Sequence, residues 1–171
     1  MLIENPNFEL RAPLQQLKDE HKLLRADMDQ FYGITEEIEF ESGPKVIKLF
    51  SKLYEEVLAF DEKLKAHSKR EEEALFPMMD HHLGENDRTI ETMEFEHHKA
   101  ERHLQDFLEE VAKVGETIDE YDAQMITVYV VQAYATLTQH FAKEETMLFP
   151  LAAKILSNEE MGELGRVFQH L

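Results

Sequence analysis

Apolar residues return at steps of three and four through most of this chain, and strand signals are absent. From Pro13 to about Phe40, the residues Leu14, Leu17, Leu24, Met28, Phe31, Ile34 and Ile38 share one helical face. Gly33 weakens this helix only slightly. Glu41-Ser42-Gly43-Pro44 reads as a turn followed by a helix start. The second stripe is Val46, Leu49, Phe50, Leu53, Val57, Leu58 and Leu64. Pro77 should end it, because the residue before a proline disfavours helical geometry. A loop from Met78 to Asp87 is expected next. A third helix should run from the N-cap Asp87 to Gly115. A fourth should start at Thr117, which has capping-box spacing with Glu120, and stop at Pro150. Ser157-Asn158-Glu159-Glu160 opens a short fifth helix with the same spacing. The pattern predicts an all-α fold in one domain, residues 1–171. Short connections make it an up-down-up-down antiparallel four-helix bundle over about residues 13–150, with a short C-terminal helix.

Composition narrows the chemistry. The chain of 171 residues is long enough for a substantial core. Its net charge of −18 repels phosphate backbones, so no nucleic-acid partner is expected. No apolar run approaches the roughly eighteen residues of a membrane span. The N-terminus MLIENPNFEL lacks the basic and apolar order of a secretory signal, which makes the cytoplasm the expected location. There are no cysteines, so disulfides, thiolate metal sites, iron–sulfur clusters and thiol nucleophiles are excluded. Any metal must be held by nitrogen and oxygen.

One segment occurs twice. HSKREEEALFP at 67–77 returns as HFAKEETMLFP at 140–150, with His, Glu, Glu, Leu, Phe and Pro in common. Residues four apart share a helix face, so His67 pairs with Glu71 and His140 with Glu144. Glu20-His21 and Glu96-His97 precede the two copies by similar intervals, 46 and 43 residues from His to His. His67 and His140 each lie ten residues before a proline, His97 ten after Asp87, and His21 eight after Pro13. At 1.5 Å per residue, all four sit about 12–15 Å from one end of the bundle. A single buried histidine is more often a core residue than a ligand. Four at one depth, two with matched glutamates, point to a metal site.

The expected ligands are His21, His67, Glu71, His97, His140 and Glu144. Six donors are too many for one tetrahedral ion. They suit two ions with two histidines each, Glu71 and Glu144 bridging, and an oxo or hydroxo bridge between. Iron is the expected metal, with zinc and manganese as the other candidates for sulfur-free donors. At least one coordination position stays open for a small molecule. Leu24, Leu64 and Met147 are expected to wall the site. Glu20 and Glu96 precede ligand histidines, and a solvated position is expected for them over one that supports the ligands; Glu72 and Glu145 are expected to flank the site or face solvent. Glu101 shares a face with His97 and is the candidate for a seventh ligand, but a place at solvent or beside the site is expected. His81, His82, His98, His103 and His170 are expected at the surface, and Tyr32, Tyr54, Tyr129 and Tyr134 in packing. A ferritin-like site would need paired Glu-x-x-His motifs, and Glu94-x-x-His97 is the only one.

Together, Glu-His-Lys-Leu-Leu-Arg at 20–25, the two repeat copies, and Ile90 and Met93 leading into Glu96-His97 resemble the hemerythrin-like, or HHE cation-binding, domains. The resemblance covers about residues 13–156. It implies a non-haem di-iron centre in a four-helix bundle, with the same six residues as ligands. Oxygen-carrying hemerythrins have a fifth histidine one turn along the third helix and an aspartate on the fourth. Here those places hold Glu101 and Glu144, so the chain is more similar to the branch with iron-sensing and iron–sulfur-repair proteins. The cysteine-bearing segment usual in repair proteins is missing. Three functions stand side by side. The first is a protein, monomer or homodimer, that binds or senses O2 or NO, or reports iron status. The second is a di-iron enzyme reducing NO or peroxide, or donating iron for cluster repair. The third is an acidic bundle whose histidines bind metal only incidentally. No catalytic residue beyond the ligands stands out, which favours the first.

Overall fold

The chain folds into four long antiparallel helical rods. The computed structural model describes residues 10–114 and 118–171. Helix α1 is Ala12–Phe40, and every residue of its expected stripe is buried. Gly43 follows with φ 75°, a left-handed conformation that glycine adopts without strain, and its N–H donates to Glu120 Oε2 at 3.0 Å. That bond pins the first turn to the start of a later helix. Helix α2 is Pro44–Arg70. Leu58, expected inside, is 42% exposed, because its neighbour Val57 takes the inward place.

Pro77 does not end the second rod. Residues Glu71–Leu75 form one wide π-helical turn, and the helix resumes as α3, Phe76–Asp80. The Phe76 N–H reaches back five residues to the Glu71 carbonyl. A proline is costly within an α-helix because its ring meets the carbonyl four residues back and it donates no hydrogen bond. At the start of a new helix, beyond the wide turn, neither cost arises. The same device occurs at Pro150: Glu144–Leu148 is π-helical and α6, Phe149–Ile155, continues beyond it. The expected loop is correspondingly shorter, and Met79 is buried within α3.

Helix α4 is Thr89–Val114, with Asp87 Oδ1 accepting from the Thr89 N–H at 2.8 Å. The expected stop at Gly115 and cap at Thr117 lie outside the described residues. Helix α5, Glu120–Lys143, begins at a different cap: Asp119 accepts from the Asp122 N–H. Helix α7, Asn158–Phe168, carries the complete capping box of Ser157 and Glu160 and buries Met161, Leu164 and Phe168. Replacing Ser157 with alanine should cost about 1 kcal/mol in urea denaturation, the usual loss for an N-cap hydroxyl. No helix among the described residues is long and apolar enough to cross a membrane.

The core comes in two parts. One, with Leu24, Phe31, Phe60, Phe107 and Phe141, fills the far end of the bundle. The other, with Leu14, Leu75, Phe76, Phe149 and Phe168, fills the end closed by α7. A layer of buried histidines and glutamates lies between them.

Candidate metal centre

Each long rod brings one histidine to that layer: α1 brings His21, α2 His67, α4 His97 and α5 His140. All four are at most 4% exposed, and Glu71 and Glu144 are wholly buried. Two donor groups result. One is His21, His67, Glu71 and Glu144; the other is His97, His140, Glu71 and Glu144. Within each group, one donor atom per residue lies within 4.8 Å of all the others. Both glutamates belong to both groups. Glu101 belongs to neither, nor does Glu94 of the Glu-x-x-His pair.

The π turns explain how a carboxylate and an aromatic ring from one rod serve the same layer. The extra residue in each turn returns the chain to its inward face, so Glu71 and Phe76 are both buried, as are Glu144 and Phe149. Phe76 then stacks on His97 with centroids 5.5 Å apart and planes at 30°. Phe149 stacks on His21 at 5.5 Å and 29°. Leu75 and Leu148 are fully buried beside them. Every identity in the repeated segment therefore has a place in this layer or in the turn that builds it.

A ring of carboxylates surrounds the histidines. Glu20 meets His67 Nδ1 at 2.9 Å, Glu72 meets His97 Nδ1 at 3.0 Å, and Glu96 meets His140 Nδ1 at 2.8 Å. Glu145 lies 3.4 Å from His21 Nδ1. The ring runs from α1 to α2, from the turn after α2 to α4, from α4 to α5, and from the turn after α5 back to α1. Glu20 and Glu96, expected in solvent, are instead half-buried orienting groups. Each acts on the next helix rather than on its own adjacent histidine, which no spacing within one helix reveals. A carboxylate on Nδ1 fixes the ring and leaves Nε2 as the inward donor.

Burial opposes charge throughout this layer, yet the carboxylates demand a cation. Burial works against the protonated His67, but Glu71, Glu20 and Glu144 outweigh it and raise its pKa to about 10. Burial likewise opposes protonation of His97, and Glu144, Glu72 and Glu71 raise it to about 10. Burial, reinforced by the Glu144 charge, pushes Glu71 up. Glu144 is equally buried, but contacts with Glu71, His140, His21 and His97 hold it well below the usual carboxylate range. None of the four oxygens of Glu71 and Glu144 has a well-aligned hydrogen bond. The Nε2 atoms of His21 and His67 face each other at 3.1 Å. Buried carboxylate oxygens and imidazole nitrogens converging without well-aligned hydrogen bonds to those oxygens are what a pair of cations would satisfy.

Burial also opposes protonation of His21, and Glu144 and Glu145 raise it above the usual histidine range, so His21, His67 and His97 all hold protons more tightly than a free histidine. Metal ligation needs neutral imidazole. Between pH 6.5 and about 10, His67 and His97 keep protons that an unfolded histidine would have lost. Loading with metal at pH 8 should therefore expel at least the two protons of His67 and His97, and affinity should rise with pH until about 10. Calorimetry in buffers of different ionisation enthalpy counts them; fewer than one proton would contradict the charge balance described.

Other expected positions divide. Leu24 and Leu64 are buried on the far side of the layer, but Met147 is 48% exposed. It lies in the wide turn between Glu144 and Leu148, where the extra residue rotates it outward. His81, His82, His98 and His170 are exposed and His103 half-buried. His82 pairs with Glu160 at 2.9 Å. Tyr32 and Tyr134 stack on each other at 4.3 Å, and Tyr54 and Tyr129 pack on the far core.

A comparison with curated proteins gives no match. A sequence model of the Hemerythrin HHE cation binding domain matches residues 12–152, which hold the whole histidine and glutamate layer.

Proposed function

The chain belongs to the hemerythrin family of HHE cation-binding domains, and from that premise we propose that it holds two iron ions and uses them to bind or sense O2 or NO, or to report iron status. His21 and His67 would hold one ion, His97 and His140 the other, and Glu71 and Glu144 both. The observation that carries this reading is that the two donor groups share both glutamates. Sulfur-free donors suit iron, zinc and manganese alike, and the hemerythrin resemblance favours iron. When bound, an iron pair supplies Lewis acidity and electrons to a small ligand.

The chain's own residues support binding over turnover. Phe76, Phe149 and Phe141 line the histidines with apolar rings and keep bulk water from the layer. The ring carboxylates fix the imidazoles. Among the described residues no further His, Asp or Glu joins either donor group. The expected site of action is the cytoplasm.

Metal analysis of protein reconstituted anaerobically with ferrous iron, with optical spectra before and after air, tests the reading. Two irons per chain and a new near-ultraviolet to visible band that reverses on removal of oxygen would support oxygen binding. A band that decays irreversibly would point to sensing or oxidation. Repeated turnover of peroxide or NO would replace binding with catalysis. Under one iron per chain, unchanged by His67→Ala, would refute it.

A further inference from the structure

The four orienting carboxylates match in position but not in charge. Arg70 Nε lies 3.3 Å from Glu20, Arg25 pairs with Glu145, and Lys143 pairs with Glu96. Glu72 contacts only imidazoles, His97 Nδ1 at 3.0 Å and His98 Nε2 at 3.8 Å. Among the described residues it has no lysine or arginine partner. Its counterpart in the repeat, Glu145, differs on this point because Arg25 also sits 5.7 Å above Phe141, the ring stacked on His21. One half of the layer thus faces a compensated carboxylate and the other an uncompensated one.

A negative charge at Nδ1 strengthens the imidazole as a donor through Nε2 and stabilises the higher oxidation state of a metal held there. We infer that Glu72 makes the His97–His140 half of the centre the more readily oxidised, which fixes the order in which two ions with the same donors change oxidation state. The inference rests on the di-iron reading and deepens it. Each step moves one electron between the centre and an external one-electron carrier, and no bond of the chain breaks. A centre with unequal halves keeps an odd-electron state over a range of potential, which suits single-electron exchange with a small ligand.

The test is a spectroelectrochemical titration of the iron-loaded protein with dithionite and one-electron mediators. Wild type should show two separated one-electron midpoints. Glu72→Gln should raise the lower midpoint and narrow the gap. Arg25→Gln, which exposes the Glu145 charge, should lower the upper midpoint and narrow the gap from the other side. Glu101→Gln removes a nearby charge that contacts no histidine and should move either midpoint less. Absence of iron would end the di-iron reading and this inference with it. Iron at two per chain, with Glu72→Gln shifting the midpoints no more than Glu101→Gln, would overturn the inference alone. If Glu72→Gln fails to hold iron, Arg25→Gln decides: an unchanged or raised upper midpoint overturns the inference.

Discussion

Glu144→Ala should lower metal content from the two ions per chain proposed above to below one. Glu144 stands in both donor groups, so a single truncation removes a ligand from each. His140 Nε2 lies 2.7 Å from Glu144 Oε1, and His21 and His97 lie at 3.6 and 3.8 Å. Three of the four imidazoles thus lose a neighbour together. The loss should appear in stability as well. Free metal at a hundredfold excess over its Kd adds about 2.7 kcal/mol to a folded protein that binds it. Thermal melts with and without metal should show that gain in wild type and almost none in the variant. Glu101→Ala should keep both ions, since Glu101 is in neither donor group. If Glu144→Ala retained two ions and the metal-dependent rise in Tm, the shared-carboxylate centre would be wrong.

Phe141→Ala should remove much of the stability of the metal-free protein. Its ring is 1% exposed, stacks on His21 at 4.2 Å and 23°, and belongs to the far core. Truncating a buried phenylalanine leaves a cavity and costs about 3–5 kcal/mol. Total stabilities of domains are about 5–15 kcal/mol, so much of the margin goes. The first copy of the repeat has Ser68 at this place, so no second ring substitutes by symmetry. Urea denaturation of the metal-free protein measures the loss, and Phe141→Leu should lose less than half as much. A loss under about 1 kcal/mol for alanine would mean that neighbours collapse into the space.

The sequence by itself determined the rods and the depth of their histidines. Helical periodicity is a local property, so the stripes of α1 and α2 follow from spacing alone. The His-to-Glu interval of four and the matched distances to Pro13, Pro77, Asp87 and Pro150 depend only on helix rise. Those regularities brought six side chains to one layer before any tertiary contact was known. Two things needed the fold. The prolines read as stops because the usual cost of proline in a helix is local, while the π turns that remove it serve the packing of Phe76 and Phe149 across the bundle. The orienting roles of Glu20, Glu72, Glu96 and Glu145 were invisible for a related reason. Each meets a histidine on another helix, 25 to 124 positions away, and such partners are set by rotation and packing of whole rods. The charge difference between Glu72 and Glu145 is decided there too, by where Arg25 comes to rest.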